Sequence, residues 1–258
     1  MIKILLNGYA GKMGRAVAEA AAKKADEFCI AAGADIKPAA ADFPVFEKIS
    51  DCGILADVII DFTWHDKTTD LLEYAKSKNL PAVVATTGHT PEELEAIKAY
   101  AESIAVFKSP NMSLGVYIAA RLAKKAAAIL KADFDIEIIE KHHNQKLDAP
   151  SGTALMLAEA VCSAFDEGQR PEYVYDRHIQ KCARGKRELG IHSIRGGSII
   201  GEHEVIFAGQ GELISISHSA CSRDMFASGA LSAAKFLLGK PAGLYTMDDY
   251  MDEILGEF

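Results

Sequence analysis

Residues 140–155 hold the densest chemistry in the chain. Glu140-Lys141-His142-His143-Asn144-Gln145-Lys146 ends a strand, and Leu147-Asp148-Ala149-Pro150-Ser151-Gly152-Thr153-Ala154-Leu155 opens a helix. Lys146 supplies a positive point charge. The free N–H groups of Ser151, Gly152 and Thr153, with two hydroxyls, suit a carboxylate. A histidine titrates close to neutrality and can donate a proton there. The segment therefore points to a carboxylated substrate and a proton-transfer step. Adjacent residues on a strand face opposite ways, so one of His142 and His143 gives the proton while the other orients or binds. The same alternation argues against zinc, and no acid or cysteine at metal-ligand spacing completes such a site. Ser151 lacks the strand–elbow–helix setting of a hydrolase nucleophile.

A second motif opens the chain. Gly8-Tyr9-Ala10-Gly11-Lys12-Met13-Gly14 follows the first strand and starts the first helix. That context fits a dinucleotide site, although the spacing is G-x-x-G-x-x-G rather than G-x-G-x-x-G. Gly8 allows a sharp turn, Gly11 lets backbone N–H groups approach a pyrophosphate, and Gly14 permits close helix–strand packing. Asp35 ends the second strand, where an acid bonds the adenosine ribose. Lys37, two residues on, can face a 2′-phosphate, so the motif leaves NADPH open beside NADH.

Three polar clusters fall at strand ends: Asp61-Phe62-Thr63, Thr86-Thr87-Gly88 and Ser109-Pro110-Asn111-Met112-Ser113. Ligands of open α/β sheets lie beyond such carboxyl ends. A nicotinamide across them meets Phe62, Thr63 and Met112.

The elements that must position these groups read as two kinds. Up to about residue 110, buried apolar runs (2–6, 29–34, 57–62, 81–85, 104–107) alternate with helical stretches (12–26, 66–77, and one started by Thr90-Pro91-Glu92-Glu93). That is the grammar of an α/β, doubly wound parallel sheet. A helix over 114–130 follows. Period-two strands then run over 134–138, 188–194, 202–207 and 213–218, with a Gly209-Gln210-Gly211 turn between the last two. They predict a second α+β domain on a mostly antiparallel sheet. A helix over 224–238 closes the pattern. The expected domains are 1–112 with 224–258 for the dinucleotide, and 113–223 for substrate binding and oligomerisation.

Composition sets the outer limits. The 258 residues are 49% hydrophobic and 25% charged, which is ordinary for a globular enzyme and excludes a disordered or collagen-like chain. The net charge of −8 argues against a nucleic-acid partner. No apolar run reaches a membrane span, and Met1-Ile2-Lys3 leads into the first strand without a signal peptide. The five cysteines form no C-x-x-C and read as reduced cytoplasmic thiols.

Taken together, these motifs resemble the 4-hydroxy-tetrahydrodipicolinate (dihydrodipicolinate) reductase family nearly end to end. The run from Glu140 to Ala154 is the most specific part, and Gly201-Glu202-His203 and Ser222-Arg223 also look like the family. The resemblance implies a Rossmann domain completed by the C-terminal helix, an inserted substrate domain whose sheet builds a homotetramer, and NADH or NADPH as hydride donor. It implies His142 as general acid, with Lys146 binding or helping to protonate the substrate. His143, Ser151, Gly152, Thr153 and Thr87 would hold the substrate's carboxylates. Gly8, Ala10, Gly11, Lys12, Met13, Gly14, Asp35, Lys37, Phe62, Thr63, Thr86, Gly88, Asn111 and Met112 would hold the coenzyme. No metal, membrane or nucleic acid is implied. The alternative is another Rossmann dehydrogenase acting on an amino-acid intermediate.

Overall fold

Short apolar runs without polar alternation become inner strands, because only a strand covered on both faces can bury every side chain. The first such run sets the pattern, with Ile4, Leu5 and Leu6 of the opening strand fully buried. The computed structural model describes residues 1–131, 133–179 and 181–256. In chain order the elements are β1 (Ile2–Asn7), α1 (Lys12–Ala22), β2 (Phe28–Ala34), β3 (Val45–Phe46), β4 (Val58–Asp61), α2 (Thr68–Lys78), β5 (Ala82–Val84), α3 (Pro91–Ala101) and β6 (Ala105–Lys108). Then come α4 (Leu114–Leu130), β7 (Asp135–His142), α5 (Gly152–Cys162), β8 (Glu172–Val174), β9 (Glu188–Arg195), β10 (Glu202–Ala208) and β11 (Leu213–Ser219). The chain ends with α6 (Asp224–Leu237), β12 (Gly243–Tyr245) and α7 (Met247–Leu255). Two compact units result: Met1–Leu114 with Arg223–Phe258, and Gly115–Ser222.

The first unit carries a seven-stranded sheet in the order β12-β6-β5-β4-β1-β2-β3, and every adjacent pair is parallel. This is the doubly wound sheet the sequence predicts. The order reverses between β1 and β4, which makes the crevice beyond their carboxyl ends the natural ligand site. Val58, Ile59 and Ile60 of β4 and Val106 and Phe107 of β6 are fully buried. The predicted start of α3 is built as a capping box: Thr90 Oγ1 accepts Glu93 N–H at 3.3 Å, and Glu93 Oε2 accepts Thr90 N–H at 2.8 Å. Helix α6 packs on this sheet beside α1, and its small residues Ala227, Gly229, Ala230, Ala233 and Ala234 are all buried.

The second unit carries five strands in the order β11-β10-β7-β9-β8. The β7–β10 and β10–β11 pairs are antiparallel as expected, while β7–β9 and β8–β9 are parallel, so the sheet is mixed. The physical reason lies in the connection. The chain leaving β7 passes through α5 before reaching β9, and a crossover of that kind delivers a parallel neighbour. Ile136, Ile138, Leu189, Val205 and Phe207 form the core with Ala123, Ala127, Leu157 and Val161 of α4 and α5. Strand β7 alternates strictly, burying Ile136, Ile138, Glu140 and His142 on one face.

Candidate active site

Beyond β1 and β4 the first unit opens a cavity of about 1170 Å³. Gly8, Ala10, Gly11, Asp35, Lys37, Phe62 and Thr63 line it. The turn is shaped by absent side chains. Gly8 has φ +78°, and a Cβ there would stand 2.9 Å from Phe62 O. A Cβ on Gly14 would meet Gly8 O and lie 2.5 Å from Tyr9 Cα. The helix thus starts close against the strand, with the N–H groups of its first turn unfilled, which is a cradle for a pyrophosphate. Asp35 braces the turn: its carboxylate accepts Ala10 N–H at 3.2 Å and Lys37 N–H at 3.0 Å. The residues present therefore fit a dinucleotide. Lys12 and Met13, in the first turn of α1, do not line the cavity, and neither do Thr86, Thr87, Gly88, Asn111 or Met112. Met112 is buried, with its carbonyl beneath Gly229 of α6.

The strand ends behind this cavity share a buried polar network. Asp61 is wholly enclosed and accepts Asn7 Nδ2–H at 2.8 Å, Thr63 Oγ1–H at 2.8 Å and Thr86 Oγ1–H at 2.7 Å. Burial pushes its carboxyl above the usual range, against the pull of those donors. Lys108 donates to Thr86 O at 2.8 Å. Burial lowers its ammonium to about 8, with the charge of Asp61 acting in the opposite sense. Thr63 and Thr86 are thereby held in one geometry by a group the sequence offers only as part of a polar cluster.

In the second unit the His-His-Lys segment assembles around Glu140. That carboxylate is fully buried and takes hydrogen bonds on both oxygens. Arg195 grips it bidentately, Nη1 to Oε2 at 2.8 Å and Nη2 to Oε1 at 2.6 Å. Ser151 N–H reaches Oε1 at 3.1 Å, and His142 Nδ1 lies 2.6 Å from Oε2. Burial alone would raise the pKa of Glu140, but hydrogen bonds from Arg195, His142 and Ser193 hold it down at about 2. Ser151 caps α5, its Oγ accepting Ala154 N–H at 3.1 Å, and His203 Nε2 lies 3.0 Å from the same oxygen. The rings of His142 and His203 meet edge to face, centroids 5.1 Å apart. Burial, with His142 next in weight, lowers His203 to about 4.

Other predicted residues fall close by. Lys146 pairs with Asp148 at 2.8 Å, and Gly152 and Thr153 form the first turn of α5, Gly152 exposed with open space where a Cβ would stand. His143 is half-buried, and among the described residues its ring has no hydrogen-bond partner. Three groups here escape the sequence reading. Glu140 reads there only as part of a strand end, Arg195 is not singled out, and His203 appears only within a stretch resembling the family, with no role assigned. A signal for the first exists: Glu140 and His142 are two apart on an alternating strand, hence on one face. The other two depend on strand register, which pairs His142 with Arg195 and Glu140 with His203. Among the described residues no group of three or more His, Cys, Asp or Glu is placed to hold a metal ion, and no helix is long and apolar enough to cross a membrane.

Comparison with known proteins supplies the last observation. A family model described as dihydrodipicolinate reductase, N-terminus, matches residues 2–112, and one described as dihydrodipicolinate reductase, C-terminus, matches residues 115–251. The 4-hydroxy-tetrahydrodipicolinate reductase of Caldanaerobacter subterraneus subsp. tengcongensis is 49% identical over 249 residues, covering 96% of this chain and 98% of its own. That of Clostridium novyi is 46% identical over 253 residues, covering 96% of this chain and 98% of its own. Among solved structures, a dipicolinate-bound dihydrodipicolinate reductase from Paenisporosarcina sp. TG-14 aligns at TM-score 0.79 and 27% identity, over 95% of this chain and 97% of that one.

Proposed function

We propose a reaction from one premise: the chain belongs to the dihydrodipicolinate reductase family. It reduces 4-hydroxy-tetrahydrodipicolinate to tetrahydrodipicolinate with loss of water, a step of diaminopimelate and lysine biosynthesis. The first unit holds the coenzyme in the cavity beyond β1 and β4. When bound, the reduced nicotinamide supplies a hydride. The second unit holds the substrate.

The chain's own residues then have distinct tasks. Gly152 and Thr153 offer backbone N–H groups, and Ser151 and Thr153 hydroxyls, to a carboxylate, while the Ser151 N–H is spent on Glu140 rather than left free as the sequence suggests, and Lys146 adds a positive charge beside them. His143 completes the expected carboxylate contacts of this unit. Once water has left the ring and hydride has reached C4, an enamine remains. His142 protonates its carbon and leaves the cyclic imine of the product. One observation carries this reading: a single buried carboxylate, Glu140, bonds both the ring of His142 and the N–H of Ser151. Proton donor and carboxylate cradle are therefore built on one support.

For the coenzyme, Asp35 suits the ribose hydroxyls of NADH, while Lys37 and Arg15 on the same cavity suit the 2′-phosphate of NADPH. We expect both to be used. The reading brings with it a cytoplasmic homotetramer. The half-exposed face of the second sheet, with Ile139 and Ile206 between charged neighbours, fits a subunit contact. All five cysteines are unpaired, as in a reducing compartment.

Loss of NADH and NADPH absorbance, in separate assays with freshly generated substrate, tests the proposal. Rapid turnover with either coenzyme supports it. Folded protein that binds the coenzymes and turns over neither would overturn it. Light scattering on the eluted protein tests the tetramer.

A further inference from the structure

We infer that Glu140 is a positioning residue that makes Nε2 of His142 the proton-donating atom, and that Gly201 keeps that atom open. This rests on the reductase reading and deepens it.

The argument runs from geometry. Glu140 is ionised across the working pH range and is clamped by Arg195 and by Ser151 N–H. A carboxylate only accepts. The short 2.6 Å contact with His142 Nδ1 therefore needs the proton on Nδ1. Neutral His142 is then the Nδ1–H tautomer, with a bare lone pair on Nε2. Imidazolium His142 carries its one transferable proton on Nε2. When that proton moves to the substrate carbon, the N–H bond breaks, a C–H bond forms, and the ring returns to the Nδ1–H form it already holds. No ring flip is needed between the two states, because Glu140 accepts the same N–H in both.

Gly201 supplies the second half. A Cβ built on it would stand 3.0 Å from His142 Nε2 and 3.4 Å from Cδ2. Gly201 has no positive φ, so its backbone does not demand glycine. Its carbonyl accepts Ala220 N–H at 2.8 Å, which fixes the strand end in place. The missing side chain leaves space against the nitrogen that must meet the substrate.

The wild-type protein, labelled with 15N in its histidine rings, provides the decisive test. Long-range proton–nitrogen spectra, assigned by difference against His142→Gln, read the tautomer directly. Neutral histidine in water favours Nε2–H, so an Nδ1–H signature on His142 is a departure the proposal requires. An Nε2–H resting form overturns it. Glu140→Gln is expected to lower kcat by about 100-fold or more, with a much smaller change in KM. Because that variant leaves Arg195 unpaired and can fail to fold, Gly201→Ala is the independent check. It should keep the wild-type thermal midpoint and the Nδ1–H signature while losing at least about tenfold in kcat. Unchanged kcat in Gly201→Ala overturns the role of Gly201. Absence of turnover in the wild-type chain would instead sink the reductase reading and this inference with it, whereas the tautomer alone separates the two.

Discussion

His203 Nε2 stands 3.0 Å from the hydroxyl oxygen of Ser151, which already accepts Ala154 N–H at 3.1 Å. With His203 as its Nε2–H tautomer, two donors meet at one hydroxyl oxygen, occupy both lone pairs and turn its proton outward. Burial keeps His203 neutral, so its ring carries a single N–H and the Ser151 contact depends on that proton lying at Nε2. In the proposed site, a substrate carboxylate at the α5 N-terminus accepts a hydrogen bond from that hydroxyl.

Ser151→Ala should therefore do two things. Loss of the helix cap should cost about 1 kcal/mol of stability, read from the urea midpoint. Loss of the outward proton should weaken dipicolinate binding by about tenfold in calorimetry, with kcat less affected than KM. Equal binding by the variant would remove Ser151 from the carboxylate site.

Acid sensitivity should begin above the carboxylate range. The folded protein holds His203 at about 4, against about 6.5 when unfolded, so the unfolded chain binds more protons between those values. Stability is complete above pH about 6.5, declines as pH falls to about 4, and loses on the order of 3 kcal/mol from this group. Glu140 acts lower, between its ordinary value and about 2, where loss of its charge removes the Arg195 pair. Urea midpoints at pH 7.5 and 5.0 should differ clearly in the wild type and less in His203→Gln. Parallel slopes for the two proteins would show that other groups carry the effect.

Gly14→Ala tests the dinucleotide turn. Its methyl would be forced into Gly8 O and Tyr9 Cα, which are backbone atoms with no rotamer to yield. A destabilisation of about 1–3 kcal/mol and a large loss of NADH affinity are expected. Thermal melting and NADH fluorescence titration measure them. Wild-type affinity would mean that the turn has slack the geometry denies.

Asp61→Asn tests the network behind the cavity. Asp61 accepts from three donors, whereas an amide brings two donors of its own. The amide keeps one acceptor oxygen, so the Thr86 hydroxyl must turn round to accept and the second amide N–H needs a new partner, at a cost of about 1–3 kcal/mol. Thr63 and Thr86 would lose a common anchor, so coenzyme affinity should fall with stability. A variant as stable as the wild type would show that Asp61 is replaceable.

Much of this was legible before any coordinates. The run Ile4-Leu5-Leu6 followed by the glycine turn specified the first strand and the sharp turn into α1. Ser151-Gly152-Thr153 announced a helix N-terminus beside two histidines. What stayed hidden depended on pairing across long separations. Arg195 and His203 are 53 and 61 residues from His142 in sequence, yet register sets one opposite His142 and the other opposite Glu140. The short strands β3, β8 and β12 carry too few residues for a period to show, and they exist because a sheet edge was there to pair with. The parallel alignment of β9 followed from the crossover through α5, which no local pattern in β9 records.

The discontinuity of the first unit has a consequence for how the molecule is made. Residues 115–222 form a contiguous stretch with its own core, whereas the first sheet waits for α6 and β12. A nascent chain emerging from the ribosome can therefore finish the later-starting unit first. Until Arg223 and the residues after it appear, the sheet face that α6 covers remains bare, and the free edge of β6 has no strand beside it. During that interval the chain is most prone to sticking to its neighbours. Truncation just before α6 should give a product that aggregates more readily than the full chain, read by light scattering.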